Sequence, residues 1–470
     1  MKKVKLYTLL AGLILFASCK KFLDKQPPHN LTLDNAVTDY AGAKNVLNGM
    51  YGTVQNQNLG GALMVPLSAM AGFYTGDYAV NYTMATRQGD KDYGDRWIGM
   101  YSAINAANAA IISISALSDN QFPAGLPSKK SMVAEARLYR AWNYSWLLWT
   151  RCHWWSTPEN PNGLIYRDKM ANLSNLQVAR LTVGASYDKI FEDIDDAIAN
   201  APSYTSSKYL SKEMAMVLKA KLLLYRGKGS DYTEALKLVQ ALKPKAFIEP
   251  NVKKLYEDAW DSKEVLWSRY LESPGRTLSE FAYSYGIIYN HKFNLEFATG
   301  WLAFDPRYPE VTGIVRSPEA WDDRTFPAFT KLAHRGRVTG PEDNYATYYF
   351  RWSELYLMEA ELIARTGGTV TDALKPINAM RAAKTSVVLP ALTASSLNEF
   401  YDVLFKEIWV ELALENGSEW FASLRFMKDG RPWVYSLKKD VNFDENKYIW
   451  PIPDAEMISN KLATQNPDLK

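Results

Sequence analysis

Two aromatic-rich stretches hold the residue types best suited to chemistry at a surface. Between Leu59 and Gly94 stand Tyr74, Tyr78 and Tyr82 with Asp77, Asn81 and Arg87; between 244 and 345 stand Tyr283, Tyr285, Trp301 and Trp321 with Asn290, Asn294 and Arg324. Aromatic rings stack on an apolar face, while amide, carboxylate and guanidinium groups hold hydroxyls at its rim. The combination suits a flat ligand with both characters, such as a pyranose. The competing reading is that each ring packs its own loop. Aromatic residues make up 13% of the chain (15 Trp, 29 Tyr, 18 Phe), more than a core of this size requires, which leaves some of them for a ligand.

A second constellation is Glu407, Glu411 and Glu415, four residues apart on one face of an expected helix. Paired carboxylates perform acid–base chemistry in glycoside hydrolysis. Like charges at this spacing also repel, so structural pairing with a cation such as Arg425 or Arg381 is the expectation, and no catalytic residue is assigned. His334-Arg335-Gly336-Arg337 reads as a solvated basic turn. No Gly-x-Ser-x-Gly elbow, phosphate-binding Gly-rich loop or EF-hand loop is present, so serine-hydrolase and nucleotide chemistry lose support. The four histidines (His29, His153, His291, His334) are scattered and no Cys-x-x-Cys occurs, so no metal ligand and no cofactor is expected; for calcium no spacing of acidic residues decides either way.

The elements that must position these groups are helical. Asp34 to Tyr51 reads as a first helix capped by Asp34, and Leu59 to Gly94 as loop. Helical spacing returns at Trp97 to Ile114, where Trp97 reads as core, and at Ser131 to Trp149, where Trp142, Trp146 and Trp149 share a face that reads as core. Tyr187 to Ile198 follows, then Ser211 to Arg226 stopped by Gly227, then Thr233 to Leu242. Helix, short loop, helix with small Ala positions resembles a tetratricopeptide array. Residues 244–345 break that rhythm with Pro, Gly and aromatics and read as a loop-rich insertion. From Phe350 the pairs resume through Leu355 to Leu362, Ala373 to Met380 and Leu397 to Leu414. The expected fold is mainly α, a superhelix of helical pairs with loop-rich aromatic insertions.

The chain starts Met-Lys-Lys-Val-Lys, then runs apolar from Leu6 to Phe16, then reads Ala17-Ser18-Cys19. That is the order of a secretion signal, too short to cross a bilayer, and Cys19 after two small residues resembles a bacterial lipoprotein cleavage site with Phe16 where Leu is usual. Several acyl chains together make a stable anchor; ordinary signal cleavage is the alternative. If Cys19 is acylated, only Cys152 of the two cysteines remains and no internal disulfide forms. Lys plus Arg number 54 against 51 Asp plus Glu; without the leader lysines the two balance, which argues against a nucleic-acid binder. At 470 residues the chain makes one large or two to three ordinary domains. The expected organisation is a signal over 1–18, a lipidated tether over 19–33, a helical region over 34–243, the insertion over 244–345 as candidate ligand-binding subdomain, and a second helical region over 346–470.

Distributed matches then resemble the SusD/RagB outer-membrane lipoproteins of the Bacteroidetes. Cys19-Lys20-Lys21-Phe22-Leu23-Asp24 with Pro27 resembles their tether and Val46-Leu47-Asn48-Gly49-Met50-Tyr51 their first helix. Ala134-Glu135-Ala136-Arg137-Leu138-Tyr139-Arg140-Ala141, Arg351 to Glu361 and Ile377-Asn378-Ala379-Met380-Arg381 resemble later ones. Trp420 to Arg425, Tyr448-Ile449-Trp450-Pro451-Ile452-Pro453 and Gln465-Asn466-Pro467 resemble the closing motifs, with Asn416-Gly417-Ser418-Glu419 standing where the family carries Gly-x-Arg. The resemblance implies a non-catalytic, tetratricopeptide-containing lipoprotein on the outer face of the outer membrane. It would bind a glycan and pass it to a SusC-like TonB-dependent transporter. The family's ligand site lies in variable segments, so no individual contact carries over. The competing functions are a surface glycoside hydrolase, a protein-interaction scaffold and a peptide-nutrient binder.

Overall fold

The computed structural model describes residues 37–53, 67–68, 70–71, 74–75, 91–274, 292–293, 301–302, 304–316, 325–329, 331, 342–438 and 444–467. The architecture is mainly α. Helices α1 (Tyr40–Gly52), α2 (Lys91–Ala116), α3 (Lys129–Arg151), α4 (Val183–Asn200), α5 (Lys212–Arg226) and α6 (Asp231–Leu242) follow in order. After two short helices, α7 (Val252–Asp258) and α8 (Tyr308–Val311), come α9 (Trp352–Arg365), α10 (Val370–Ala383), α11 (Leu397–Leu412), α12 (Ser418–Arg425), α13 (Trp433–Lys438) and α14 (Asp454–Ser459). Each long helix packs on the next, α2 on α3, α3 on α4, α4 on α5 and α5 on α6; α6 then packs on α9, which packs on α10, so the array continues across the insertion.

Local chemistry sets the helix ends. Ser128, Thr182, Ser211, Thr369 and Ser396 each accept a backbone N–H from the first turn, which satisfies a donor that the helix itself leaves free. Gly227 ends α5 at φ +59°, and a Cβ there would lie 2.4 Å from the Tyr232 hydroxyl, so both backbone and space require glycine. The first helix starts later than its sequence suggests. Asp39, rather than Asp34, is its cap and accepts the Gly42 N–H at 2.8 Å.

The core runs through α3, which buries Trp142, Trp146 and Trp149; Trp97 of α2 is buried as well. Trp142 meets Trp267 edge-on at 5.9 Å and Tyr349 at 4.7 Å. Those two residues belong to a ten-residue antiparallel ladder, β2 (Val265–Pro274) with β6 (Glu342–Arg351). Within the expected insertion 244–345, regular strand stands at Val265–Pro274, and β6 runs across the expected boundary at 345. Three smaller pairs are β1 (Tyr74–Thr75) with β3 (Lys292–Phe293), β4 (Thr312–Arg316) with β5 (Thr325–Phe329), and β7 (Met427–Lys428) with β8 (Arg431–Pro432). Within the stretch expected to be loop, Tyr74–Thr75 is strand and α2 already begins at Lys91.

Candidate functional site

The two aromatic stretches are joined by backbone. In the β1–β3 pair Tyr74 lies opposite Phe293 and Thr75 opposite Lys292, so segments more than two hundred residues apart in sequence lie side by side. Of the candidate ligand residues, Tyr74 lies in that strand and Trp301 at the foot of the insertion. Asp77, Tyr78, Asn81, Tyr82, Arg87, Tyr283, Tyr285, Asn290, Asn294, Trp321 and Arg324 lie outside the described residues, as does Cys19. The half-buried Trp301 ring stands edge-on to Phe405 (6.0 Å), Trp409 (5.7 Å) and Trp433 (5.9 Å), seating the insertion on α11 and α13.

Ahead of the first aromatic stretch, the Thr53 hydroxyl donates to Met50 O and sits 2.7 Å from the Tyr139 hydroxyl. Two residues earlier, the Tyr51 hydroxyl donates to buried Glu135 and accepts the Leu210 N–H at 3.0 Å. Burial pushes the Glu135 carboxyl up to about 7, against the lowering effect of the Tyr51 hydrogen bond. Further along, the Ser68 hydroxyl donates to Glu419, which also accepts the Leu414 N–H at 3.1 Å. Glu419 is fully buried and its carboxyl is likewise raised by burial. Leu67 packs against Gly417, where φ is +69° and a Cβ would come within 2.8 Å of Leu67 Cδ1. In the same Asn416-Gly417-Ser418-Glu419 turn, Asn416 and Ser418 donate to Glu354, which also pairs with Lys221 at 2.6 Å.

The insertion is anchored differently. Arg307 grips Asp305, Glu407 and Glu411, each at 2.8 Å; Lys331 meets Glu415 at 2.8 Å. Arg351, at the end of β6, pairs with Glu264, with Glu415 at 2.7 Å and with Glu411 at 3.1 Å. Lys384 and Arg381 of the α10 end complete the set on Glu411 and Glu407. Burial alone would raise the Glu411 carboxyl, but Lys384, Arg351 and Arg307 outweigh it and hold it well below the ordinary range; Arg351 and Lys331 likewise outweigh burial at Glu415 and lower its carboxyl. A general acid needs the opposite shift, so Glu411 and Glu415 are built for pairing. Of the two expected cation partners, Arg381 takes Glu407, whereas Arg425 pairs with Glu361 at 3.0 Å. The cations that sequence reasoning missed, Arg307, Lys331, Arg351 and Lys384, carry no signal beside the glutamates; the Glu spacing announces a need for cations without saying which.

Among the described residues no group of three or more His, Cys, Asp or Glu side chains is arranged to hold a metal ion. Cys152 is buried and unpaired, and burial pushes its thiol up to about 11, which leaves it inert.

Two family profiles match the sequence, one described as "Starch-binding associating with outer membrane" over residues 21–222 and one as "SusD family" over residues 323–468. The chain belongs to the SusD/RagB family. No curated protein sequence matches it significantly. Among solved structures, a SusD superfamily protein from Bacteroides vulgatus superposes with TM-score 0.70 at 19% identity, over 92% of this chain and 100% of that one. A laminarin-binding SusD-like protein gives 0.68 at 19%, over 92% and 100%. Surface glycan-binding protein A from Bacteroides uniformis gives 0.66 at 17%, over 91% and 99%. At these identities the likeness establishes a shared fold. The two profiles flank residues 223–322, so this SusD/RagB member carries most of its insertion in the part that neither covers.

Proposed function

We propose that this SusD/RagB protein is a cell-surface lipoprotein that binds a glycan where its first aromatic stretch meets its insertion, and delivers it to a SusC-like TonB-dependent transporter. The observation that carries the reading is the β1–β3 pairing, which joins the two segments richest in stacking and hydroxyl-binding side chains. Tyr74, Tyr78, Tyr82, Tyr283, Tyr285 and Trp321 supply the stacking rings, with Asp77, Asn81, Arg87 and Arg324 at the rim; Trp301 holds the insertion to the helices beneath. A starch-binding family match and two glycan-binding neighbours of the same fold support a carbohydrate ligand. Cys19 is the lipidation site that anchors the chain to the outer membrane, and the stacked helical pairs are tetratricopeptide-like. Binding proceeds without catalysis: the one carboxylate series suggestive of hydrolysis is committed to buried ion pairs.

The test is retardation of the soluble chain from Phe22 onward in gels containing plant, host or microbial polysaccharides, with reducing ends assayed in the same samples. Retardation by one glycan class without new reducing ends is expected. New reducing ends would replace the reading with a hydrolase, and no retardation by any glycan would replace it with a peptide binder or scaffold.

A further inference from the structure

A second group of cations lies apart from those that clamp the insertion. Arg365, which ends α9, and Arg425, which ends α12, both grip the buried Glu361: Arg365 Nε lies 2.8 Å from Oε1 and Arg425 Nη2 3.0 Å from Oε2. One carboxylate thus serves two guanidiniums. Both arginines line a hollow of about 460 Å³ between α9, α11 and the β7–β8 hairpin, a volume in the range of small-molecule sites. The other charges of its lining are spoken for, since Lys428 pairs with Asp402 at 3.0 Å and Asp429 stands exposed at the hairpin tip, where water screens it. One positive charge in excess therefore remains at the inner wall. Rings hold both guanidiniums in place: Arg365 lies over Tyr232 (5.3 Å), Tyr401 (5.6 Å) and Phe426 (5.7 Å), and Arg425 over Tyr225 (4.2 Å). Arg365 spends only Nε on Glu361 and keeps both Nη groups for another acceptor. Arg425 has a side chain only 10% exposed, and its buried Nη1 has no hydrogen-bond partner. Folding leaves that donor unsatisfied, a cost that an arriving oxyanion removes.

We propose that this hollow is a separate subsite for an acidic sugar residue, which it holds by a carboxylate or sulfate oxyanion; the inference rests on the carbohydrate reading above. Guanidinium groups present paired donors that match the two oxygens of such an anion, and a site already held rigid loses little freedom on binding it. The rim suits the rest of a sugar. Exposed Asn398 offers an amide, and Asp402 Oδ1, which Lys428 does not use, accepts from a hydroxyl. The half-buried Tyr401 adds ring surface for the apolar face. The hollow also lies close to the foot of the insertion: Phe405 stacks on Trp433 at 4.5 Å and meets both Trp301 (6.0 Å) and Phe426 in the hollow's wall (5.9 Å). One ring separates the subsite from the residue that seats the insertion.

The test is retardation of the same soluble chain in gels containing polygalacturonate or alginate, acidic through carboxylate, or κ-carrageenan, acidic through sulfate, beside their carboxyl-reduced and desulfated counterparts. Retardation by at least one acidic polymer is expected, at least tenfold weaker with the uncharged counterpart and at least tenfold weaker for Arg365→Gln; the polymer that retards names the oxyanion. Lys253→Gln, which removes the same charge from a side chain 63% exposed elsewhere, should change nothing. Asn398→Asp sets a repelling charge at the exposed rim, so it should weaken acidic retardation without moving the unfolding midpoint, and it decides the matter if Arg365→Gln fails to fold. Equal retardation by acidic and uncharged polymers, no retardation by any acidic polymer, or equal losses from Arg365→Gln and Lys253→Gln would each overturn the proposal. Retardation by neutral glycans alone would strike it and leave the carbohydrate reading standing, whereas Arg365-dependent retardation indifferent to Tyr74→Ala and Trp321→Ala would strike the aromatic site alone.

Discussion

The two aromatic segments of the candidate site are fixed to the same helical scaffold by opposite electrostatic means. Around the first, Tyr51 and Ser68 are tied to Glu135 and Glu419, buried carboxylates held by hydroxyl and backbone donors. The second is clamped by five cations (Arg307, Lys331, Arg351, Arg381, Lys384) and five carboxylates (Glu264, Asp305, Glu407, Glu411, Glu415). In the first case burial favours the protonated acid; in the second the surrounding cations favour the ionised one. The two anchors should therefore respond to pH in opposite directions and over different ranges.

Breaking the ionic anchor should give the largest effect. Arg351 is buried between Glu264, Glu411 and Glu415, so Arg351→Met leaves three carboxylates short of a partner and should cost about 3–5 kcal/mol in urea unfolding at pH 7. Because Glu411 and Glu415 ionise more readily folded than unfolded, their contribution is present above the ordinary carboxylate range near pH 4 and is lost as pH falls below it.

Glu135 gives the next effect, with the opposite sign. Its carboxyl titrates near 7 in the folded protein and near 4 when unfolded, so stability falls as pH rises from about 4 to 7 and then levels off. Glu135→Gln keeps an acceptor for Tyr51 and removes the charge. It should add up to about 3 kcal/mol at pH 8 and nothing at pH 4, read from denaturant midpoints across that range. A constant gain at all pH values would show that the two anchors do not differ as described.

Gly417→Ala sharpens the comparison further. Its positive φ and the nearby Leu67 side chain make any Cβ costly, and a loss of about 1–2 kcal/mol is expected together with weaker glycan retardation, since Leu67 fixes the first segment. Ser211→Ala on the scaffold should cost about 1 kcal/mol through the lost helix cap and leave glycan retardation unchanged.

The difference between the regions also explains what the sequence made legible. Helix α5 reads correctly from Ser211 to Gly227 because its cap, its periodic face and its stop are neighbours in the chain. The first helix shows the weakness of the same logic: Asp34 and Asp39 are both good caps, and backbone geometry chooses Asp39. The β2–β6 ladder pairs Val265 with Arg351 across a long insertion, so no local period reveals it. Likewise the glutamate spacing signals buried pairing, but Arg307 reaches Glu407 from a hundred residues away. The aromatic content of the site was legible from composition; the joining of its two halves was not, because two-residue strands such as β1 and β3 have no pattern of their own.

The central claim is that these two halves form one glycan site. Hydrogen–deuterium exchange of the soluble protein, with and without a saturating amount of the glycan that retards it, tests this most directly. The account predicts slowed exchange in both 74–87 and 283–324 on adding glycan; protection confined to one of these segments, or found only in the helical scaffold, would contradict it.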